Sequence, residues 1–260
     1  MLRIALIGAG NVGYHLGRRL AEKGCAVEQV FSRDKKKARN LAEQIGAEPI
    51  DHLKAVSSNA DLYILAVSDD AIGMVAKRIR ERLPEDKAVL HTSGAAPSTL
   101  LAPYFQRYGI FYPLQTFSRQ REPDFNSIPI CIFSPQPELE QELLGLARTI
   151  SQSVHRIDDE QRAVLHVAAV FVNNFSNYLF QIGQEILGQE QLPFGLLQPL
   201  ILETAQKVQE YPAREMQTGP ARRGDLATIE HHLAYLKKFP KFRALYEVLT
   251  REILEEWLKG

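Results

Sequence analysis

The stretch RIALIGAGNVG, residues 3–13, decides the fold. It begins with a short apolar run, which is typical of a buried β-strand. The GAGNVG that follows is a GxGxxG pattern, and it leads into Val12, Leu16 and Leu20, spaced four apart as on one face of a helix. A strand that passes through three such glycines directly into a helix is typical of a dinucleotide-binding fold.

The three glycines of this turn have separate expected roles. Gly8 permits the tight turn, Gly10 lets a pyrophosphate approach the backbone, and Gly13 lets the helix pack closely on the strand. The helix N-terminus offers free N–H groups and a positive dipole end to the phosphates. We therefore expect a dinucleotide to be bound by Gly8, Gly10, Asn11, Val12 and Gly13. The alternative is a tight turn that binds no ligand.

The alternation that starts at this turn continues through the first half of the chain. Short apolar runs, separated by helical patterns, occur at residues 26–32, 48–50, 61–67, 88–93, 109–114, 128–133 and 153–157. Apolar strands that alternate with helices predict a parallel sheet with helices on both faces.

The pattern changes near residue 158. Residues 158–187 have almost no helix breaker and predict one long helix that opens with acidic residues, as helix N-termini favour. Further helices are predicted at residues 196–209, 225–239 and 242–258. The fold class is therefore α/β, with a Rossmann-type domain of residues 1–157 followed by an all-α domain of residues 158–260.

The end of the second strand bears on the choice between NAD and NADP. An NAD-dependent enzyme usually has an acidic residue there, which binds the ribose 2′-hydroxyl. Here Ser32 and Arg33 come first and the acid is delayed to Asp34. Serine and arginine can hydrogen-bond and neutralise a 2′-phosphate, so the sequence favours NADP over NAD. In the competing interpretation, Asp34 reaches back to the ribose.

Polar residues also follow the fourth and fifth strands, at the sheet edge where ligands gather. The AVSDD after the fourth strand places Val67 and Ser68 beside a ribose of the cofactor. The HTSG after the fifth strand offers Thr92 and Ser93 to the nicotinamide or the substrate. His91 could share that role or be a core histidine held by the backbone.

Composition narrows the classes of partner. The 31 Lys and Arg residues balance 31 Asp and Glu residues, which argues against nucleic acid. The two cysteines, Cys25 and Cys131, predict reduced thiols in the cytoplasm rather than a disulfide framework. We expect no metal site, because Cys and His residues lack ligand spacing, and no membrane span, because no stretch is long and apolar enough.

Several motifs together resemble a known group. The GAGNVG unit, the AVSDD turn and the long helix before an all-α domain resemble the 6-phosphogluconate dehydrogenase-like superfamily. The motifs HTSG, YPLQTF, LHVAAVFVNNF and TGPARRGD look like those of the Rossmann-like family with a DUF2520 C-terminal domain, over nearly the whole chain. The resemblance implies an NADP-linked oxidoreductase, often a homodimer through its helical domain.

The long helix departs from the better-known members of that superfamily. In β-hydroxyacid dehydrogenases it carries a catalytic lysine followed four residues later by an asparagine. Alignment on Asn173 and Asn174 puts Val170 at the lysine position and keeps Asn174 at the asparagine position. His166 lies one turn earlier, on the same face if the helix is regular. It could be a general acid or a buried structural histidine.

The stretch QTGPARRGD, residues 217–225, is a turn between predicted helices. Thr218 and Arg223 could line a substrate cleft, or the loop could simply be solvated. Asp225 suits the N-cap of the next helix.

The sequence thus predicts hydride transfer between NADP and a small carbonyl or imine substrate. The candidate catalytic residues are Ser93, His166, Asn174 and Thr218. The alternatives are an NADP-binding regulatory protein without turnover and an F420-linked NADP oxidoreductase.

Overall fold

The computed structural model describes residues 1–258. Residues 259 and 260 of the predicted helical domain lie outside the described part. The chain forms two compact units, one that ends at Asn173 and one that begins at Asn174. The first unit thus includes the beginning of the long helix as well as the sheet, whereas the sequence predicts a domain boundary after residue 157.

The first unit is built on one eight-stranded sheet with the order β3-β2-β1-β4-β5-β6-β7-β8. The strands are Arg3–Ile7 (β1), Ala26–Phe31 (β2), Glu48–Ile50 (β3), Leu62–Leu65 (β4), Ala88–His91 (β5), Arg107–Pro113 (β6), Ile130–Phe133 (β7) and Val154–Arg156 (β8). The order 3-2-1-4-5-6 is that of the Rossmann fold, which confirms the predicted fold class.

Helices cover both faces because alternate residues of each strand point to opposite sides. Ile4 and Leu6 of β1 pack in one buried cluster and Ala5 and Ile7 in another. The first cluster includes residues of Asn11–Glu22 (α1), Lys35–Ile45 (α2) and Pro137–Ile150 (α4), and the second includes residues of Ile72–Arg80 (α3).

One strand pair departs from the predicted parallel arrangement. β6 and β7 are antiparallel, with Ile110 opposite Phe133 and Pro113 opposite Ile130. The other pairs are parallel. Residues 114–129 join β6 to β7 without an α-helix, and parallel neighbours need a long crossover, usually a helix. The direction of the chain therefore reverses at this connection.

The long helix begins where the acidic residues predict. Asp158 and Gln161 form a capping box at the start of Asp159–Ala169 (α5). The next six residues, Val170–Phe175, are π-helical, and Ser176–Gln189 (α6) follows. A π-helix turns less per residue than an α-helix because its hydrogen bonds span five residues. The regular spacing of four that relates His166, Val170 and Asn174 in the sequence is therefore interrupted.

The region Asp159–Gln189 also corrects the expectation that no stretch could span a membrane. It is 31 residues long and contains an 18-residue window with a mean hydropathy of 1.2, so by length and composition alone it could cross one. Its side chains are largely exposed, among them Val164, Val167 and Val172.

The second unit is helical, as predicted. It contains α6, together with Gln198–Glu210 (α7), Pro220–Arg223 (α8), Leu226–Tyr235 (α9) and Pro240–Leu258 (α10). The short α8 falls within the predicted turn at residues 217–225, between Gly219 and Gly224, both of which have positive φ. Asp225 accepts a hydrogen bond from the backbone N–H of Thr228, which confirms it as the N-cap of α9.

Candidate cofactor site and active site

The glycine-rich turn has the backbone geometry that a dinucleotide needs. Gly8 has φ +123°, and a Cβ there would lie 2.1 Å from the carbonyl oxygen of Ala66. A Cβ on Gly13 would lie 2.0 Å from the carbonyl oxygen of Gly8. Around Gly10, by contrast, a Cβ would have no neighbour within 4 Å. Gly8 and Gly13 thus hold the turn against the sheet, while Gly10 leaves space beside the backbone.

The start of α1 suits an anion. Its N-cap is Gly10, no side chain caps it, and its first turn has no acidic residue. The N–H groups of a first helical turn have no partner within the helix, and the dipole favours negative charge there. The side chain of Asn11 is already engaged, since it donates to the carbonyl oxygen of Phe117 at 2.9 Å. This turn fits a pyrophosphate, with backbone groups as its donors.

At the end of β2 the acidic residue is used by the protein itself. The Asp34 carboxylate accepts from the backbone N–H groups of Lys36 and Lys37 and caps α2. The Ser32 hydroxyl accepts from the backbone N–H of Asp34, and Arg33 is exposed. The capping bonds orient Asp34 toward its own helix, which favours the interpretation in which Ser32 and Arg33 face the ribose.

β4 and β5 are neighbouring parallel strands, so the segments that follow them begin side by side at one edge of the sheet. Val67 is half-buried with its Cγ1 close to Gly8, and Ser68 is exposed. Thr92 is buried and its N–H donates to the carbonyl oxygen of Leu65. This arrangement brings the end of β5 beside the end of β4, where the sequence predicts cofactor contacts.

His91 and Ser93 hold the loop after β5. The ring of His91 is fully buried, and its two nitrogens contact the Pro97 carbonyl oxygen and the Ser93 N–H. Burial lowers the pKa of His91 to about 4, so the ring is neutral near pH 7. The Ser93 hydroxyl accepts from the N–H groups of Ala95 and Ala96. Of the two interpretations of His91, the structure supports the core histidine.

His166 approaches this loop at Gly94. The Nδ1 atom of His166 would lie 2.6 Å, and the hydroxyl of Tyr112 2.9 Å, from a Cβ placed on Gly94. The two side chains therefore come together where the glycine leaves room for them. His166 Nδ1 is buried and has no hydrogen-bond partner among the described residues. Burial raises the pKa of Tyr112, which keeps its phenol protonated.

The first turn of α5 fixes the other end of the same loop. The Asp159 carboxylate accepts from the Ser98 N–H and hydroxyl and pairs with Arg162 at 2.7 Å. Burial opposes ionisation of Asp159, but its hydrogen bonds from Ser98 and its pair with Arg162 hold its pKa below the usual range. Arg162 is 0% exposed and also donates to the carbonyl oxygen of Ala96.

Two of the predicted catalytic residues, Asn174 and Thr218, belong to the second unit. Asn174 is exposed and lies in the π-helical segment. Thr218 is exposed, and its carbonyl oxygen accepts from the side chain of Gln217. Their roles in a site stay predictions.

Tyr112 and Arg162 are functional candidates that the sequence did not single out. Tyr112 stands within the motif YPLQTF, where no local pattern indicates that its hydroxyl lies close to Gly94. Arg162 follows Asp159 at a spacing of three, which places both on one side of a helix. That spacing could have predicted the ion pair of Arg162 with Asp159. The contact of Arg162 with Ala96 and the approach of Tyr112 to Gly94 join distant parts of the chain, so no local pattern predicts them.

The glycine-rich turn, the order of the strands and the placement of the helices together define a dinucleotide-binding protein of the Rossmann class. Residues 3–94 match the family described as NADP oxidoreductase coenzyme F420-dependent, and residues 128–253 match the domain of unknown function DUF2520. A Bacteroides fragilis protein of known structure, provisionally named an NADP oxidoreductase, is 41% identical over 98% of both chains, with a TM-score of 0.93. The chain therefore belongs to the family of that protein, the Rossmann-like family with a DUF2520 C-terminal domain.

More distant similarities support the fold. An imine reductase of Myxococcus stipitatus, solved with NADP+, has a TM-score of 0.68 at 16% identity, covering 98% of this chain and 99% of that one. Glutamyl-tRNA reductase of Caldivirga maquilingensis is 44% identical over 68 residues. That match covers 25% of this chain and only 17% of the reductase, so it concerns a short segment.

Proposed function

We propose that this protein is an NADP-dependent oxidoreductase that acts on a small carbonyl or imine substrate. The observation that carries the proposal is the position of His166, which brings a buried nitrogen without a partner to the loop after β5. An unsatisfied buried polar group is rare and calls for an explanation such as a catalytic role. The glycine-rich turn, with its open space at Gly10, follows β1 of the same sheet.

The proposed roles follow from the side-chain chemistry. NADPH, when bound, supplies a hydride. His166 supplies a proton to the oxygen or nitrogen of the substrate, and the neutral phenol of Tyr112 orients that atom by a hydrogen bond. The Ser93 hydroxyl positions the loop by accepting from the backbone N–H groups of Ala95 and Ala96, and it does not donate a proton to the substrate. Asn174 and Thr218 are proposed to complete the substrate face.

We expect Arg33→Ala to weaken NADPH binding by about tenfold or more and to leave NADH binding unchanged. A charged hydrogen bond to the 2′-phosphate contributes roughly 1.5–3 kcal/mol, and NADH has no such group. Titration of the purified protein with each nucleotide, followed by fluorescence, measures both dissociation constants.

Arg78→Ala is the matched control, because Arg78 is an exposed arginine of α3. Its affinities for both nucleotides should equal those of the wild type. Equal losses of NADPH and NADH binding in Arg33→Ala would overturn the assignment of Arg33 to the 2′-phosphate.

Assays of turnover separate this proposal from its two alternatives, an F420-linked NADP oxidoreductase and a regulatory protein without turnover. The F420-dependent family matches only residues 3–94, which form the nucleotide-binding part. An F420-linked NADP oxidoreductase would exchange hydride between NADPH and a deazaflavin and would leave small carbonyls and imines unreduced. A regulatory protein would bind NADPH without oxidising it in the presence of any member of a carbonyl and imine panel.

We further propose a cytoplasmic homodimer in which a second copy covers the apolar side chains of Asp159–Gln189. Val164 and Val172 are 72% and 76% exposed, and a soluble protein rarely exposes so large an apolar surface. Both cysteines are free thiols, as expected in a reducing compartment. The proposed partners include no nucleic acid and no membrane.

Val164→Glu together with Val172→Glu is expected to convert the dimer into a monomer. A carboxylate at each position would have to be desolvated at the interface. Light scattering coupled to gel filtration measures the mass, and Val248→Glu, at a 45% exposed position in α10, is the control. A wild-type monomer, or binding of the wild type to lipid vesicles that the double variant loses, would contradict the dimer.

A further inference from the structure

The connection between β6 and β7 folds back over the glycine-rich turn. Asn11 donates from its side chain to the carbonyl oxygen of Phe117, and His15 Nε2 contacts that of Ser118, both at 2.9 Å. The rings of His15 and Phe117 are stacked, with centroids 5.6 Å apart. The connection is thus held along α1 from its first residue onward, although it joins strands at the other side of the sheet.

This loop delivers an arginine to the turn. Arg119 Nη2 donates to the carbonyl oxygen of Ala9, between Gly8 and Gly10, at 2.8 Å. Its Cζ lies 4.6 Å from the ring centroid of Tyr14, which supports one face of the guanidinium. A guanidinium has five N–H donors, and the bond to Ala9 occupies one of them. The side chain is exposed, so donors remain accessible to a ligand.

The turn needs such a charge. The sequence GAGNVGY, residues 8–14, contains no charged side chain. Its attraction for a pyrophosphate would otherwise depend on backbone N–H groups and the helix dipole, whose effect is modest and limited to the first turn. A guanidinium beside the turn adds a full positive charge and a planar fork of donors that matches phosphate oxygens.

We propose that Arg119 binds the pyrophosphate of the dinucleotide. This inference rests on the proposed cofactor but assigns it a residue far from the glycine pattern in sequence. Arg119 and Arg33 then have separate tasks. Arg33, at the end of β2, meets the 2′-phosphate that only NADP has, whereas Arg119 meets the group that NADP and NAD share.

The comparison of two nucleotides tests this division. Arg119→Ala is expected to raise the dissociation constants of NADPH and NADH alike, by about 10- to 100-fold. Arg119→Lys keeps the charge but loses the fork, so an intermediate loss is expected. Arg121→Ala, two residues along the same exposed loop, should bind both nucleotides as the wild type does.

Thermal unfolding separates binding from a purely structural role. In the ligand-free protein Arg119→Ala should leave Tm nearly unchanged, and the rise in Tm with NADPH should shrink. A lowered Tm of the free protein with wild-type affinities would mean that Arg119 only fastens the loop. Loss of NADPH binding alone would place Arg119 at the 2′-phosphate and overturn the assignment.

Failure of the inference differs from failure of the proposed cofactor. If the wild type binds both nucleotides and Arg119→Ala binds them equally well, the inference is wrong and the cofactor stands. If the wild type binds neither NADPH nor NADH, the cofactor assignment itself fails.

Discussion

Substitution of His166 by alanine is expected to lower kcat by about 100- to 10,000-fold, the range that a positioned proton donor contributes. The Nδ1 atom of His166 and the Tyr112 hydroxyl both lie close to Gly94, beside the end of β5. The affinity for NADPH should stay within a few-fold of the wild type, because His166 is assigned to the substrate rather than to the cofactor. Stopped-flow oxidation of NADPH with the best substrate of the panel measures the chemical step.

Rescue distinguishes a proton donor from a structural histidine. Added imidazole should restore part of the rate of His166→Ala, because the deleted ring leaves space for it. Tyr112→Phe should lower kcat less than His166→Ala does, since the phenol orients the substrate but does not supply the transferred proton. His52→Ala, at a histidine whose side chain is 78% exposed, should behave as the wild type. A kcat within threefold of the wild type in His166→Ala, at unchanged stability, would remove His166 from the mechanism.

The features that could be predicted from the sequence are those set by neighbouring residues. The glycine-rich turn is one, because the demands at Gly8 and Gly13 arise within a strand, a turn and a helix. The capping of α9 by Asp225 is another, since the carboxylate accepts from the backbone N–H of Thr228, three positions ahead. Such local chemistry leaves a recognisable order of residue types.

The other features of the fold and of the site depend on contacts between distant parts of the chain. Nothing near Arg119 in the sequence reveals that the loop returns to Ala9, 110 positions earlier. Neither does the sequence near Tyr112 reveal that its hydroxyl and His166 both lie close to Gly94. The reversed direction of β7 has the same origin, because it depends on what residues 114–129 pack against. The π-helical segment Val170–Phe175 carries no sequence signal that we can identify.

Arg162→Leu is expected to lower the free energy of unfolding by about 3 kcal/mol and Tm by roughly 10 °C. The Arg162 side chain is fully buried, pairs with Asp159 and donates to the carbonyl oxygen of Ala96. Leucine fills much of the space but leaves both oxygen partners short of a donor in the interior. Urea denaturation and thermal scans of the purified variant measure the two quantities.

A neighbouring ion pair provides the control. Arg156 pairs with Glu140 at 3.3 Å, but its side chain is 49% exposed, so Arg156→Leu should cost less than about 1 kcal/mol. Equal stabilities of the two variants would show that the buried network around Asp159 does not hold the fold. Arg162→Leu should also lower kcat, because the loop that carries Ser93 and Gly94 loses its fixed end. If kcat fell while stability was unchanged, Arg162 would act on the ligand directly, through the buried Nε that has no partner in the described chain.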